Sequence, residues 1–419
     1  MSTSSPANPR RAWVMLIALT MLTVIGMTAV FPVMPFIVKQ YLPAGDDNLA
    51  LWVGVLEGVN AFCAFLAAPF LGALSDRIGR RPVIIIASFG AVVGYVVFGI
   101  GGALWVLLLG RVIQGITAGD MPALFAYVAD ITPPEKRAQR FGMLGALNGI
   151  SFMIGPAVGG LLAAVDIRLP VFVTAGAALT VALLSIFLLP ESLAPANRKT
   201  SISLDEMHPI KVISGAFRRV ELRGLLIAFT LLGIPFAFFT SNYSVLAIDT
   251  VQWNATQVGL LLAVIGVIDI AVQGGLLALL LPRIGERPVI LIGIIGQGVA
   301  CASLVVLATV LAQPWVLIFG VLLFGATQGL TQAPLDGLMS SAVGDDEQGQ
   351  VAGAIQSVGS AIQMLAPLVA GLLYSAITHS APYILGVALI IGSAVAFARV
   401  KLPARREADS VEAPAPADA

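Results

Sequence analysis

Apolar residues run along this chain in stretches of twenty or more with few charges inside them, and the breaks fall at short clusters of charge, glycine and proline. A bilayer span needs about 20 mostly apolar residues in a helix, because a peptide group in hydrocarbon finds no water and must be satisfied within its own segment. On that rule the pattern predicts twelve spans, near 12–37, 51–74, 82–102, 104–128, 141–164, 169–190, 223–247, 257–281, 288–311, 314–341, 351–377 and 381–400. Two uncharged runs, 288–335 and 348–398, are each long enough for two helices, and Pro314 and the turn from His379 to Pro382 divide them. The first span is too long for a secretory signal and lacks a small-residue cleavage site, so it is expected to be retained.

Composition sharpens this picture. Hydrophobic residues make up 58% of the 419 and charged residues 11%, against about 25% charged in soluble globular proteins. A water-soluble fold is excluded on that ground. The 23 basic and 23 acidic residues cancel, which leaves no basic field for nucleic acid, so the charges inform by position. If the N-terminus is cytoplasmic, 20 of the 23 Lys and Arg residues face the cytoplasm, Lys39 and Arg168 fall outside, and Arg111 lies within the membrane. The positive-inside rule therefore predicts two cytoplasmic termini. The polar, proline-rich tail 401–419 is expected to be disordered.

Cys63 and Cys301 sit in separate apolar runs, and His208 and His379 are far apart. Neither a disulfide framework nor a metal cluster is expected from them. Phosphate-cradling loops, metalloprotease pairs and nucleophile elbows are absent, so an enzyme and an ATP-driven pump are both disfavoured and no cofactor is expected. An ion gradient remains as the energy source. One elementary charge crossing 100 mV supplies about 2.3 kcal/mol.

The chain also repeats itself. Arg77-Ile-Gly-Arg-Arg-Pro-Val-Ile84 returns as Arg283-Ile-Gly-Glu-Arg-Pro-Val-Ile290, seven of eight positions alike, and Gln114-Gly115 returns as Gln328-Gly329. Pro156 and Gly160 return as Pro367 and Gly371. This duplication predicts two bundles of six helices, 12–190 and 223–400, flanked by a cytoplasmic segment 1–11 and joined by a cytoplasmic linker 191–222. Parallel repeats of this kind hold a substrate site near the midplane between them.

At these residues the chain resembles the major facilitator superfamily over nearly its whole length. Gly72-Ala-Leu-Ser-Asp76-Arg77-Ile-Gly79-Arg80-Arg81 is similar to that family's signature loop between helices two and three. Arg111-Val-Ile-Gln114-Gly115 resembles the helix-four motif of proton-coupled members, and Gly142 with Gly155-Pro156-Ala-Val-Gly159-Gly160 the helix-five motif of antiporters. Ser151 stands where glycine is usual in that motif. Gly26 with Pro32-Val-Met-Pro35 is similar to the twelve-helix drug-efflux branch, and segment 110–162 to tetracycline efflux proteins. Helix one carries no acidic residue, although many drug/proton antiporters place one there, so the proton carrier is expected elsewhere.

The resemblance implies an all-α membrane fold, a bacterial inner-membrane location and export of small drug-like compounds against protons, with a monomer as the default state. It implies a conformational latch in which Asp76 meets the start of helix eleven while Arg77 and Arg81 reach Asp130. Arg111, costly to bury unpaired, needs a partner; Glu57 or helix-one carbonyls near Gly26 would serve. Asp120 lies nine residues after Arg111, two and a half turns away, so only one of the two should point straight at a cavity. Asp269 falls near the middle of helix eight and Asp336 in the inner part of helix ten. Asp120, Glu57, Asp336 and Asp269 are the proton candidates in that order, because a carboxylate held in hydrocarbon is costly unless it takes up a proton. Phe31, Met34, Met121, Phe125, Phe236, Phe239, Asn242, Tyr243 and Gln332 lie on helices that line the cavity in the resembling family. Rival readings are a proton-coupled importer or lipid-related carrier on the same fold and, from another class, a non-transporting receptor or scaffold. The buried ionisable residues weigh against the scaffold.

Overall fold

The computed structural model describes residues 9–199, 214–215, 217–343 and 348–400. Residues 1–8, most of the predicted linker (200–213 and 216) and the tail 401–419 lie outside the described residues. Twelve helices are long and apolar enough to cross a bilayer: α1 (Trp13–Lys39), α2 (Leu49–Ile78), α3 (Arg80–Ile100), α4 (Leu104–Ile131), α5 (Glu135–Ala163), α6 (Leu169–Phe187), α7 (Leu222–Val251), α8 (Ala255–Ile284), α9 (Glu286–Thr309), α10 (Pro314–Ser341), α11 (Val351–Ala376) and α12 (Ala381–Ala398). The span count read from hydropathy holds. Several helices run past their predicted ends, α2 and α5 among them. Polar residues Ser75 to Arg77 continue α2 until Gly79, whose φ of 111° ends it. Pro134, set up by Pro133 at the N-cap, starts the α5 helix before the apolar run begins.

Three helices are interrupted. The first breaks between Ala29 and Met34, the fourth between Ile116 and Asp120, and α8 carries a π-helical turn at Val272–Leu276. Each break lies within an apolar segment, where freed backbone groups are tolerated only if they line a cavity or find partners in the protein.

The duplication is visible in the packing. In the first half α3 packs on α4 and α6, α1 on α5 and α6, and α2 on α4. In the second half α9 packs on α10 and α12, α7 on α11 and α12, and α8 on α10. Two pseudo-symmetric bundles of six helices result, and they meet chiefly along α2 with α11 and α5 with α8.

Glycines on those four helices show how the bundles are tilted. At one membrane face the halves touch. A Cβ on Gly58 would stand 2.9 Å from the Met364 carbonyl oxygen, one on Gly259 would stand 2.5 Å from that of Pro156, and one on Gly371 would run into the Ala50 backbone. At the other face Gly72, Gly142, Gly274, Gly275 and Gly353 of the same helices have nothing within 4 Å. The halves are therefore closed at the face beyond Gly54 and apart at the face that carries the α2–α3 and α8–α9 loops. The latter is called the basic face below, the former the far face.

Candidate functional site

Two spaces open between the bundles, and they share their walls. The first, about 460 Å³, reaches into the N-terminal half and is lined by Glu57 and Asn60 of α2, Tyr95 of α3 and Arg111, Gln114 and Asp120 of α4. The second, about 490 Å³, lies against the C-terminal half and is lined by Asp269 and Gln273 of α8, Gln328 and Gln332 of α10, and Asn148 of α5. Phe31, Phe152, Phe236, Phe239 and Gln363 border both. One central cavity thus has two polar lobes divided by an aromatic collar. In that collar Phe31 and Phe152 lie with ring centroids 6.0 Å apart, and Phe239 stacks on Phe324 at 4.5 Å with an 11° interplanar angle.

Arg111 is only 7% exposed. Its Nη1 donates to Gln114 Oε1 at 3.0 Å, its Nη2 to Met34 Sδ at 2.7 Å, and its guanidinium lies 5.4 Å from the Phe98 ring centre. Nε has no partner. The expected pair with Glu57 is not made: both line the same lobe, yet no ion pair joins them among the described residues. Equal depth on two helices does not fix the rotation of either side chain. The carbonyl alternative is not made either: the Arg111 side-chain bonds go to Gln114 and Met34, and the Gly26 oxygen accepts from Thr174 Oγ1 at 2.8 Å.

Asp120 overturns the phase reading. Arg111 and Asp120 both face the N-terminal lobe, although nine residues of unbroken helix would set them on opposite sides. The chain unwinds over Thr117 to Gly119 and restarts with Asp120 as its first helical residue, which resets the angle. Its Oδ1 accepts from the Met121 amide at 2.9 Å, in the favoured place for a carboxylate at a helix start.

In the C-terminal lobe Gln273 Nε2 lies 2.8 Å from both Asp269 oxygens. Asp336 stands outside the lining, held from it by Gln332 Nε2 at 3.1 and 3.0 Å. Of the nine expected substrate contacts, Phe31, Met121, Phe236, Phe239, Tyr243 and Gln332 line the cavity. Met34, Phe125 and Asn242 do not. Met34 is buried under Arg111, Phe125 packs on Phe141 at 6.0 Å, and Asn242 is fully buried. Family position names a helix, and these three side chains project from the wrong side of it.

The helix-five motif works as a seam. Gly155 and Gly159 press on Thr28 and Ala29 of α1, while Gly160 faces Gly259 of α8 with their backbones in contact. Thr256 Oγ1 donates to the Gly160 oxygen at 2.8 Å across the halves. Ser151 is fully buried, so the small side chain fits where glycine is usual. Gly142 lies free at the basic face.

At the basic face the signature loop is tied within the N-terminal half. Arg80, rather than Arg77 or Arg81, reaches Asp130, at 3.1 Å, and it also pairs with Asp76. Asp76 pairs further with Lys199 Nζ at 3.2 Å. Arg81 donates to the carbonyls of Ser185 and Ile186 at the end of α6. The reversal at Gly79 carries Arg80 back over α2 and turns Arg81 toward α6. Glu191, absent from the sequence reading, caps α3: its oxygens accept the Arg80 amide at 2.8 Å and the Arg81 amide at 3.2 Å. The second copy keeps one part of this design, since Arg287 Nη2 donates to the Ala398 carbonyl at 2.6 Å. Pro282 replaces Asp76 there, and no ion pair forms among its described residues.

Sequence reasoning also passed over Asn60, which donates to the Arg111 carbonyl at 3.0 Å, and over Gln273, Gln328 and Gln363. Amides within apolar helices are a usable signal that the carboxylates had overshadowed.

Comparisons with known proteins agree with this architecture. The Major Facilitator Superfamily model matches residues 16–367. The chain is 31% identical over 395 residues to the class C tetracycline resistance protein of Escherichia coli, covering 94% of this chain and 96% of that one. It is 26% identical to multidrug resistance protein 2 of Bacillus subtilis (strain 168) over 370 residues, 88% of this chain and 90% of that one. The crystal structure of the nucleoside transporter NupG superposes with a TM-score of 0.73 at 13% identity, over 93% of this chain and 98% of that one. Twelve spans, duplicated halves around a central cavity and a family match along most of the length lead to one assignment: the chain belongs to the major facilitator superfamily and is a multi-pass membrane transporter of small molecules, not an enzyme.

Proposed function

We propose that this transporter is a proton-coupled exporter of small amphipathic, drug-like compounds, acting as a monomer by alternating access in a bacterial inner membrane with both termini in the cytoplasm. The carrying observation is that Glu57, Arg111 and Asp120 line the same cavity as Phe31, Phe236 and Phe239. A ligand there feels the charge state of those groups directly. Aromatic and methionine walls with a few polar groups suit varied amphipathic ligands. The relatives named for tetracycline and multidrug resistance support the substrate class.

The positive-inside rule puts the basic face in the cytoplasm. The open state is then the one that loads substrate from inside. A proton arriving from outside neutralises Asp120 or Glu57, and the different affinities of the two ligands for the two states drive the alternation. One charge moved through 100 mV, about 2.3 kcal/mol, sustains a roughly fifty-fold gradient of a neutral substrate.

Everted membrane vesicles test this. Tetracycline should accumulate on imposing an acid interior, an uncoupler should abolish the accumulation, and Asp120→Asn or Glu57→Gln should lose it while keeping downhill exchange. Accumulation that survives the uncoupler, or full coupling in both variants, sinks the mechanism.

A further inference from the structure

The two lobes descend from one duplicated plan but are lined differently: Glu57, Arg111 and Asp120 line the first, and Asp269 lines the second. Three residues before Gln114 is Arg111, whereas three before the matched Gln328 is Gly325. Fourteen residues before Arg77 is Cys63, whereas fourteen before the matched Arg283 is Asp269. The C-terminal lobe therefore lacks the cation of the first and carries a carboxylate at the position where the first half has a cysteine. Among the described residues Asp269 is the one charged residue lining its lobe, and no Lys or Arg lines it.

The surroundings of Asp269 are arranged for an incoming positive group. Gln273 holds the carboxylate from one side, leaving lone pairs on both oxygens toward the lobe. Gly329 keeps space beside it, since a Cβ there would stand 2.9 Å from Oδ1. Asn148 on α5 lines the same lobe, and its Oδ1 is buried without a hydrogen-bond partner. The carboxylate is the charged acceptor that this lobe offers to a donor. Phe236 and Phe239 border the lobe, and aromatic rings attract cations through their quadrupoles.

We propose that the C-terminal lobe, centred on Asp269, recognises a cationic nitrogen or other positive group on the substrate, apart from the proton-handling groups of the N-terminal lobe. The substrate class that follows is an aromatic organic cation, its ring in the collar and its charge at Asp269. This rests on the export reading above, and adds to it a residue that sets charge preference.

The test is direct binding to purified protein in lipid nanodiscs, with ethidium and tetraphenylphosphonium as cations and chloramphenicol as the neutral reference. Losing a hydrogen-bonded charge partner corresponds to a change of roughly ten- to a hundred-fold in binding. Asp269→Asn should lower the cation-to-chloramphenicol affinity ratio by that factor, and Asp269→Glu should restore most of it. Gln273→Leu should lower the ratio less. Thermal unfolding of each variant confirms that the bundle is intact. An unchanged ratio in Asp269→Asn overturns the assignment, as does wild-type protein that binds chloramphenicol but neither cation. The export reading fails separately, if wild-type vesicles accumulate none of the three compounds under an imposed proton gradient.

Discussion

Closing the far face depends on two backbones touching at the α5–α8 seam, and a single methyl group there should tip the transport cycle. In Gly259→Ala the new Cβ would stand 2.5 Å from the Pro156 carbonyl oxygen and 2.8 Å from the Gly160 Cα. Both obstacles are backbone, so no side chain can swing away and two packed helices must separate. Overpacking of this kind costs about 1–3 kcal/mol, and the upper part of that range applies where backbone must move. The cost exists only while the seam is shut. Alanine's better helix propensity is present in both states and cancels from the equilibrium between them. A shift of about 3 kcal/mol moves the ratio of far-face-closed to far-face-open molecules by roughly 150-fold. Spin labels on Asp46→Cys and Gln252→Cys, in a background lacking Cys63 and Cys301, would report the far-face distance by double electron-electron resonance. The distribution should move to longer distances in Gly259→Ala and stay at the wild-type values in Gly142→Ala, whose site has nothing within 4 Å. A wild-type distribution in Gly259→Ala, or an equal shift in Gly142→Ala, refutes the reasoning.

Three further outcomes are expected. Arg80→Ala removes the pairs to Asp76 and Asp130 and should lower stability by about 1–3 kcal/mol in thermal unfolding, whereas Arg77→Ala should stay within about 0.5 kcal/mol. Glu191→Ala uncaps α3 by freeing the Arg80 and Arg81 amides and should cost about 0.5–2 kcal/mol in the same assay. For one-to-one exchange with a proton, a monovalent cation moves no net charge. Collapsing the membrane potential with valinomycin and potassium should then leave its export unchanged and cut the gradient of a neutral substrate about fifty-fold per 100 mV, read by vesicle accumulation of ethidium against chloramphenicol.

The fold was legible because the bilayer imposes one rule on every span, and apolar length alone satisfies it. Depth was legible for one pair, since Glu57 and Arg111 line one lobe. Rotation was not. Gly119 with Asp120 and Pro122 after it are helix stop and start signals that the count of apolar length passed over, and that break turns Asp120 to the side of Arg111. The same limit hid which arginine of the loop reaches Asp130, because the direction of the chain after Gly79 depends on a φ of 111° that composition allows but does not specify. Met34 shows the limit from the other side. It was expected to touch substrate, and it instead gives its sulfur to Arg111, a donor that would otherwise be bare in a cavity wall. A soft, weakly accepting sulfur binds a guanidinium less firmly than a carboxylate does. Arg111 is therefore held by a weak acceptor rather than by a carboxylate, which under the proposed mechanism leaves its charge available to Glu57, Asp120 or a bound anion. A strong fixed ion pair at this position would have been more stable and of less use to a transporter, whose charged groups must exchange partners between states.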